Sequence, residues 1–390
     1  MFETKSWIAK SLLTIAIKNK TYMSELLYRV ALTKIPKVGA VTSRKLIAHF
    51  GSAEAVFRAK KSDFGDIQNI GEAIAKSILN TEVLTWAERE LDFIDKNQIQ
   101  VLFHTDDQFP HRLRQLHDCP MLLYYRGNAD LNAPRIVAVV GTRKASSYGI
   151  RHCEEITEGL SSFNSLIISG LAYGVDIAAH RRCVDLNVPT VGIMGSGLQR
   201  IYPNDHRDTA LRMMENGGVL TEYPSDQDPE AMHFPMRNRI IAGMCDALIV
   251  IETEAKGGSM ITANLAADYN REIFALPGRI DDRKSKGCYD LMRRQRATLI
   301  ESVEGIAQTL GWTQSGDAPK PVVIQSQLFI ELSDNEQLMI DTLSKFDKGA
   351  AIDALHYDTQ LSQAKVAALL LELEFKGLVR ALPGKRFIKI

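Results

Sequence analysis

Residues 136–176 read IVAVVGTRKASSYGIRHCEEITEGLSSFNSLIISGLAYGVD, and this stretch decides the fold class. It opens with a short apolar run at 136–140 that leads directly into a glycine, and a second run at 166–169 also precedes a glycine. The residues between the two runs follow helical spacing, which predicts strand, helix and strand in succession. Such a unit places its two strands parallel in one sheet.

The same alternation continues from about residue 134 to about residue 310. Further short apolar runs lie at 190–194, 219–222, 247–252 and 272–276. Most are separated by helical patterns of roughly 10–15 residues. We therefore expect an α/β fold with a Rossmann-like, mainly parallel sheet core and helices on both faces. Ligands of such sheets bind beyond the carboxyl ends of the strands.

Three successive predicted strands end in loops that carry glycines, small hydroxyl residues or arginines. In chain order these residues are Gly141, Thr142, Arg143, Ser169, Gly170, Gly195, Gly197 and Arg200. Backbone amides next to a glycine, together with an arginine fork, are the donors that a phosphate accepts. Because the ends of parallel strands meet at one rim, we expect an extended groove there that accepts phosphates.

A later segment, HFPMRNRIIA at 233–242, combines an aromatic ring with arginine and amide side chains. Single-stranded nucleic acid uses such rings for base stacking and arginines for its phosphates. We expect Phe234 to lie in a loop, because Pro235 and polar residues follow it, and to stack on a base. A place in the core is the alternative. Arg237 and Asn238 complete this part of the predicted site.

A glycine-rich turn at a helix start follows the run at 247–252. Its candidate phosphate-binding residues are Lys256, Gly257, Gly258 and Ser259. Glu252 is the one carboxylate suited to acid/base work, and no second carboxylate, histidine or metal pair is spaced to join it. We expect Asp176 to begin a helix, and His180 and His206 to lie on helix surfaces. With no GxxxxGK[ST] motif either, we predict no enzymatic activity, no metal and no cofactor.

The segment before the sheet has helical spacing over residues 25–108, with two short hairpins at 35–39 and 67–71. This pattern predicts a helix-hairpin-helix or SAM-like domain, in which a glycine lets the chain turn so that amides of the next helix face a phosphate. A helical bundle that uses the hairpins for packing alone is an equal alternative. The first hairpin has three basic neighbours that favour phosphate contact, Lys37, Arg44 and Lys45.

The C-terminal segment shows three helical patterns, at 335–345, 351–357 and 362–376, followed by strands at 378–381 and 386–390. Three helices and a terminal hairpin predict a winged-helix domain. The third helix has no arginine cluster, which favours protein contact or weak DNA binding over specific reading of a duplex. We thus predict the following segments: a poorly packed extension at 1–22 upstream of a natural start at Met23, a helical domain at 23–110, a Rossmann-like domain at 111–312, a linker at 313–328, and the winged-helix domain at 329–390.

The composition restricts the functional classes further. The 47 basic residues equal the 47 acidic ones, so any DNA site must be local. The five cysteines are scattered singly, which indicates free thiols in a reducing compartment and makes a zinc site improbable. The most apolar stretch near the start is far too short to span a bilayer. We expect a cytoplasmic protein without a membrane partner.

The motifs occur in an order that resembles the DNA-processing protein A (DprA/Smf) family. They are GTR at 141, SGLAYGVD at 169, GSGLQRIYP at 195, FPMRNRIIAG at 234, EAKGGSMITA at 254 and LPG at 276. The flanking helix-hairpin-helix-like and winged-helix segments are similar to that family's accessory domains. One departure is the turn Gly257-Gly258-Ser259, where the family often has SGS.

The resemblance implies a protein that binds single-stranded DNA in its Rossmann-like domain, commonly as a homodimer. Such proteins protect incoming DNA during natural transformation and help to load the RecA recombinase. By motif match, Arg143 would contact a phosphate, Phe234 would meet a base, and Arg237 would line the groove. Arg200 and Lys256 are weaker candidates, because basic residues that vary within the family cannot be placed.

Two rival classes are open. Nucleotide phosphoribohydrolases share this kind of fold, but their PGGxGTxxE pattern has a leading proline and a downstream glutamate that the turn at 256–259 lacks. A transcription regulator that acts through its winged helix is the other rival, and the missing arginine cluster weighs against it. Comparing nucleotide turnover with binding to single and double strands separates these classes.

Overall fold

The computed structural model describes residues 25–312 and 332–389, except 66, 68, 69, 71, 79, 81, 347, 348, 377 and 383–385. The predicted extension, the linker, the turn at Pro383-Gly384 and most of the second hairpin therefore lie outside the described residues. The chain forms two compact units, Met1–Asp317 and Ala318–Ile390.

The first unit begins with a helical region. Its helices are α1 (25–33), α2 (Ala40–Phe50), α3 (Ala53–Arg58), α4 (Glu72–Ile78) and α5 (Glu82–Lys96). They enclose a core that includes Leu32, Leu46 and Phe64. In the hairpin between α1 and α2, Lys37 has a positive φ and Gly39 is the N-cap of α2.

The guanidinium of Arg44 is already hydrogen-bonded within the protein, contrary to the expectation that Arg44 favours phosphate contact. Its guanidinium donates to the carbonyl oxygens of Cys119 (2.7 Å) and His117 (2.8 Å). Lys37 and Lys45 are exposed. The two lysines near the hairpin are therefore exposed to solvent, while Arg44 links the helical region to the rest of the unit through its hydrogen bonds.

A nine-stranded sheet follows, in the order β1-β2-β6-β5-β4-β3-β7-β8-β9. Its strands are β1 (Gln100–Phe103), β2 (Leu122–Gly127), β3 (Ile136–Val140), β4 (Leu166–Ser169), β5 (Thr190–Ile193), β6 (Gly217–Thr221), β7 (Ala247–Val250), β8 (Glu272–Ala275) and β9 (Thr298–Leu299). The seven strands β6-β5-β4-β3-β7-β8-β9 run parallel to one another. The other two, β1 and β2, form an antiparallel edge next to β6. All six predicted strands are present. The edge strand β1 lies in a segment for which helix was predicted.

Helices cover both faces of the sheet. They are α6 (His111–Arg114), α7 (Ser147–Ser161), α8 (Val175–Asp185), α9 (Arg207–Met213), α10 (His233–Met244), α11 (Gly258–Asp268), α12 (Lys286–Arg293) and α13 (Val303–Thr309). Val137 and Val139 of β3 pack in one core with α7 and α8, while Ile136 and Ala138 pack in another with α10 and α11. Because alternate residues of a strand point to opposite faces, a fully apolar β3 is what two covered faces require.

The second unit has the predicted winged-helix arrangement. Its elements are α14 (Asp334–Leu343), β10 (Ala350–Ala351), α15 (Ile352–Thr359), α16 (Gln363–Phe375), β11 (Val379–Leu382) and β12 (Arg386–Lys389). The strands form a sheet in the order β10-β12-β11, and Met339, Leu355 and Leu370 are fully buried in its core.

All five cysteines are buried and unpaired, as expected for free thiols. Burial raises the pKa of Cys119 to about 11 and the pKa of Cys183 to about 12, so both are protonated at neutral pH. Across the part of the chain that the structure describes, no helix combines the length and apolar character needed to cross a bilayer. Within the same residues, no group of three or more histidine, cysteine or acidic side chains is arranged to hold a metal ion.

Candidate functional site

The main candidate site lies where the strand order of the sheet reverses. From β3 the chain moves outward through β4, β5 and β6, and then returns to form β7 on the other side of β3. A cleft of about 580 Å³ opens at the carboxyl ends of β3 and β7. Such a switch point is where doubly wound sheets bind their ligands. The predicted site residues that line it are Gly141, Thr142, Arg143, Phe234, Arg237, Asn238, Gly257, Gly258 and Ser259.

The loop after β3 forms one wall of the cleft. A Cβ on Gly141 would lie 2.4 Å from a methyl carbon of Val175, so only glycine lets the loop pass this close to α8. The Thr142 amide donates to the carbonyl of Glu252 at 2.7 Å, which fixes the loop against the end of β7. Arg143 and Lys144 are exposed, and no carboxylate among the described residues forms an ion pair with either. This wall therefore offers two free cations on a fixed backbone.

The N-terminus of α11 forms the opposite wall. Its N-cap is Gly257, so no side chain caps the helix, and the Cβ position of Gly258 faces open space. The Ser259 hydroxyl oxygen is buried and has no hydrogen-bond partner within the described structure, and Ser259 lines the cleft. Unpaired amides at a helix start, with the positive end of the helix dipole, form a ready site for an anion.

Phe234 supplies the aromatic surface. The prediction that it lies in a loop is wrong, because it occupies the first turn of α10. A helix tolerates Pro235 there, since the first N–H groups of a helix have no partner inside the helix. The ring is half-buried, with the guanidinium carbon of Arg143 at 5.5 Å from its centre, within cation–π range. A Cβ on Gly195 would lie 3.1 Å from the ring, so this glycine makes room for it.

Tyr202 is a site candidate that sequence reasoning did not select. Its ring centre lies 5.8 Å from that of Phe234, and the side chain is substantially exposed. It belongs to the motif GSGLQRIYP at 195, but only its spatial proximity to Phe234 reveals a second ring beside the first. The two rings together provide a wider apolar platform next to Arg143.

Arg237 lines the cleft, but its guanidinium is directed into the protein. The residue is 4% exposed, and it donates to the carbonyl oxygens of Gly170 (2.6 Å) and Ile193. Burial lowers its pKa to about 10, against the opposing effect of Asp176, and burial raises the pKa of Asp176. Asn238 accepts from Arg237 at 3.3 Å. Arg237 thus joins the ends of β4 and β5 from behind the cleft.

Gly170 lies between these two charged groups. A Cβ there would be 2.6 Å from a carboxylate oxygen of Asp176 and 2.7 Å from a guanidinium nitrogen of Arg237. The Gly170 amide donates to Asp176 at 3.1 Å. Both the amide and the carbonyl of Gly170 therefore already form hydrogen bonds within the protein.

The structure does not place the other candidates in the cleft wall. Ser169 is buried and donates to the Val139 carbonyl at 2.6 Å, so its hydroxyl is already used. Gly197 packs against the carbonyls of 224 and 225, and its amide donates to Gln227. Arg200 is exposed and pairs with Asp228 at 3.4 Å, while Lys256 is exposed just before the N-cap of α11.

Glu252 has a structural function in this arrangement. It is buried, and it accepts hydrogen bonds from the amide (2.9 Å) and the hydroxyl of Ser146, the N-cap of α7. The carboxylate therefore fixes the start of a helix and does not line the cleft. The prediction that His180 and His206 lie on helix surfaces is wrong, since both side chains are buried.

The fold and the site together define a doubly wound α/β protein with a cleft at its switch point, preceded by a helix-hairpin-helix region and followed by a winged helix. The family model described as DNA recombination-mediator protein A matches residues 100–311. A helix-hairpin-helix motif model matches residues 29–83, and a model described as DprA winged helix domain matches residues 330–385. The chain belongs to the DNA recombination-mediator protein A family, which is the DprA/Smf family. The predicted fold class is confirmed.

Individual relatives agree with this assignment. Protein Smf of Escherichia coli K12 is 34% identical over 288 residues, which cover 73% of this chain and 76% of the relative. The crystal structure of DNA processing protein A from Streptococcus pneumoniae has a TM-score of 0.60 and 30% identity, covering 73% of this chain and 97% of that one. A Helicobacter pylori DNA processing protein A, described for its single-stranded DNA binding mode, has a TM-score of 0.50 and 31% identity, covering 55% and 95%. The protein is thus a member of a DNA-processing family.

Proposed function

We propose that the cleft between the β3 loop and α11 binds single-stranded DNA. One observation carries the proposal: an unpaired arginine, a half-exposed aromatic ring and an uncapped helix N-terminus surround the same opening. These are the three groups that a flexible polyanion with stacking bases requires. The single-stranded DNA binding mode named for the Helicobacter pylori relative supports the same ligand.

In this proposal one phosphate lies at the start of α11. It accepts from the free amides of the first turn and from the hydroxyl of Ser259, which has no partner inside the described protein. Arg143 then contacts a neighbouring phosphate from across the cleft. An anion also satisfies the buried hydroxyl, which otherwise carries an energetic cost.

A base lies on Phe234 and extends toward Tyr202. In a duplex both faces of a base are covered by its neighbours, so a ring inside a cleft reaches the base only in a single strand. The cation–π contact of Arg143 with Phe234 couples the two parts of the site, because the arginine can serve phosphate and ring from one position. No base-edge donors are needed, so the binding is largely independent of sequence.

We propose that the protein acts by binding rather than by catalysis. The carboxylate that the sequence favours for acid/base work, Glu252, is held by Ser146 at the start of α7. Asp176 lines the cleft but is buried and accepts from the Gly170 amide, and Glu254, which also lines the cleft, pairs with Arg283. Family membership supports a finer function: protection of incoming DNA during transformation and loading of the RecA recombinase, by a homodimer in the cytoplasm. Sedimentation analysis tests the dimer, and RecA filament formation on strands coated with single-strand-binding protein tests the loading.

The direct test measures binding of a labelled oligothymidylate to three variants. Arg143→Ala should reduce the slope of log affinity against log salt by about 0.7, since one phosphate contact is lost. Phe234→Ala should weaken binding by about 1–3 kcal/mol. Met236→Ala is the matched control, because Met236 is exposed on the same helix and does not line the cleft.

The control should bind within about twofold of the parent protein. If Arg143→Ala and Phe234→Ala also bind like the parent, the assignment of the cleft is wrong. Turnover of a nucleotide by a protein that ignores oligonucleotides at low salt would favour the phosphoribohydrolase alternative instead.

A further inference from the structure

The stretch from residue 279 to 296 is far more basic than the chain as a whole. It contains seven basic residues and three acidic ones, in a protein whose 47 basic residues equal its 47 acidic ones. The basic residues are Arg279, Arg283, Lys284, Lys286, Arg293, Arg294 and Arg296. The stretch includes α12 and the turn that precedes it. None of these side chains lines the cleft described above.

This basic stretch is attached directly to the cleft wall. The amide of Thr253, a cleft residue, donates to the carbonyl of Lys284 at 2.7 Å, and the amide of Gly287 donates back to the Thr253 carbonyl at 2.9 Å. The guanidinium of Arg283 lies 3.2 Å from the carboxylate of Glu254, which also lines the cleft. The start of α12 is therefore fixed at the edge of the cleft by main-chain hydrogen bonds.

The cations extend away from that edge along α12. A rise of 1.5 Å per residue places the backbone of Arg293 about 10 Å beyond that of Lys286. Arg283, Arg293 and Arg294 are 80%, 74% and 63% exposed. The last two pair with Asp290 of the same helix, and ion pairs this exposed contribute little and exchange readily for a phosphate.

We infer that a nucleic-acid strand leaving the cleft continues along this surface, which we name the α12 basic patch (Arg283, Lys284, Lys286, Arg293 and Arg294). The inference rests on the proposed function, since it extends the same strand. Arginines and lysines contact phosphates and leave bases unread. Tyr289, the aromatic residue of α12, is only partly exposed and donates to the Gly278 carbonyl. The patch thus adds affinity that depends on strand length and not on sequence.

The test compares a short and a long oligothymidylate, of about four and about 16 nucleotides, at several salt concentrations. Arg293→Gln/Arg294→Gln removes two charges of the patch. Arg207→Gln/Arg212→Gln is the matched control, because it removes two exposed arginines from α9, a helix of similar length outside the cleft lining. A second variant, Arg283→Gln, removes the charge nearest to the cleft.

With the long strand, Arg293→Gln/Arg294→Gln should reduce the slope of log affinity against log salt by about 1.4, and Arg283→Gln by about 0.7. The short strand should bind all variants within about twofold of the parent, and the control should leave both strands unaffected. An unchanged long-strand slope overturns the inference while leaving the cleft intact. Equal loss with short and long strands, or equal loss in the control, also overturns it. A parent protein that binds neither strand refutes the proposed function itself.

Discussion

Replacement of Arg237 by methionine should destabilise the protein without removing a DNA contact. The substitution keeps the length of the side chain but deletes the donors to the carbonyls of Gly170 and Ile193. It also leaves Asp176 buried without its opposite charge. A buried carbonyl that loses its donor costs about 1–3 kcal/mol, and two carbonyls are affected here, so we expect a loss of about 3–5 kcal/mol in the free energy of unfolding.

The assay combines urea unfolding with oligonucleotide titration on the same samples. For a unit of this size, the expected loss corresponds to a decrease in Tm of about 10 °C. The double variant Asp176→Asn/Arg237→Met should recover at least about 1 kcal/mol relative to the sum of the single changes, because the uncompensated carboxylate is removed. At temperatures where the variant is folded, its salt slope for DNA binding should equal that of the parent.

Arg143→Ala should have the opposite effect, because it should weaken DNA binding with little change in stability. Arg143 is exposed and has no ion pair among the described residues, so its loss should change stability by less than about 0.5 kcal/mol. The reasoning is refuted if Arg237→Met unfolds at the same urea concentration as the parent but loses about 0.7 from the salt slope. Arg237 would then donate to a phosphate, and the buried geometry would be misleading about its function.

Two further predictions concern a buried histidine and the α11 hydroxyl. Burial lowers the pKa of His180 to about 3, below its unfolded value of about 6.5, so the unfolded state takes up the proton first. The free energy of unfolding should therefore fall as the pH falls through this window, by about 1.4 kcal/mol per pH unit. Urea unfolding at pH 7 and at pH 5 measures this loss, which should be about 2 kcal/mol smaller in His180→Asn than in the parent. Ser259→Ala should weaken DNA binding without lowering Tm, since its hydroxyl has no partner within the described structure. Ser146→Ala, which removes the α7 cap, should instead lower Tm. The reverse pattern would exclude an anion site at α11.

The parallel core was predictable because its signal is local. Each of the six predicted strands is a short apolar run bounded by a glycine or a charged residue, and the direction of the chain then determines that the loops meet at one rim. The antiparallel strands β1 and β2 were missed, since an antiparallel edge pairs through residues far apart in the chain and has no repeated spacing. The parallel edge strand β9 was also missed, because two residues are too few to show a pattern. Gln100 pairs with Tyr125, and no pattern in the sequence predicts that register.

Burial of polar groups could not be predicted in the same way. Arg237 and Asp176 are 61 positions apart, and only the packing of α10 against the ends of β4 and β5 brings their charges to either side of Gly170. His180 looks like a surface residue by its charged neighbours in the sequence. In the fold its Nδ1 lies 2.8 Å from the hydroxyl of Thr190, which donates to the Ile167 carbonyl, so the ring must donate to Thr190.

The two arginines of the cleft, Arg237 and Arg143, have different functions because one is buried and the other is exposed. A buried guanidinium has to satisfy its donors inside the protein, so Arg237 joins strand ends and supports the shape of the opening. An exposed guanidinium gains at most about 1 kcal/mol from an ion pair with a neighbouring carboxylate, so leaving Arg143 unpaired costs little stability. An internal pair would also have to be broken before a phosphate could bind. Since salt screens charges beyond about 8 Å, these local cations can attract a polyanion even though the chain as a whole is neutral.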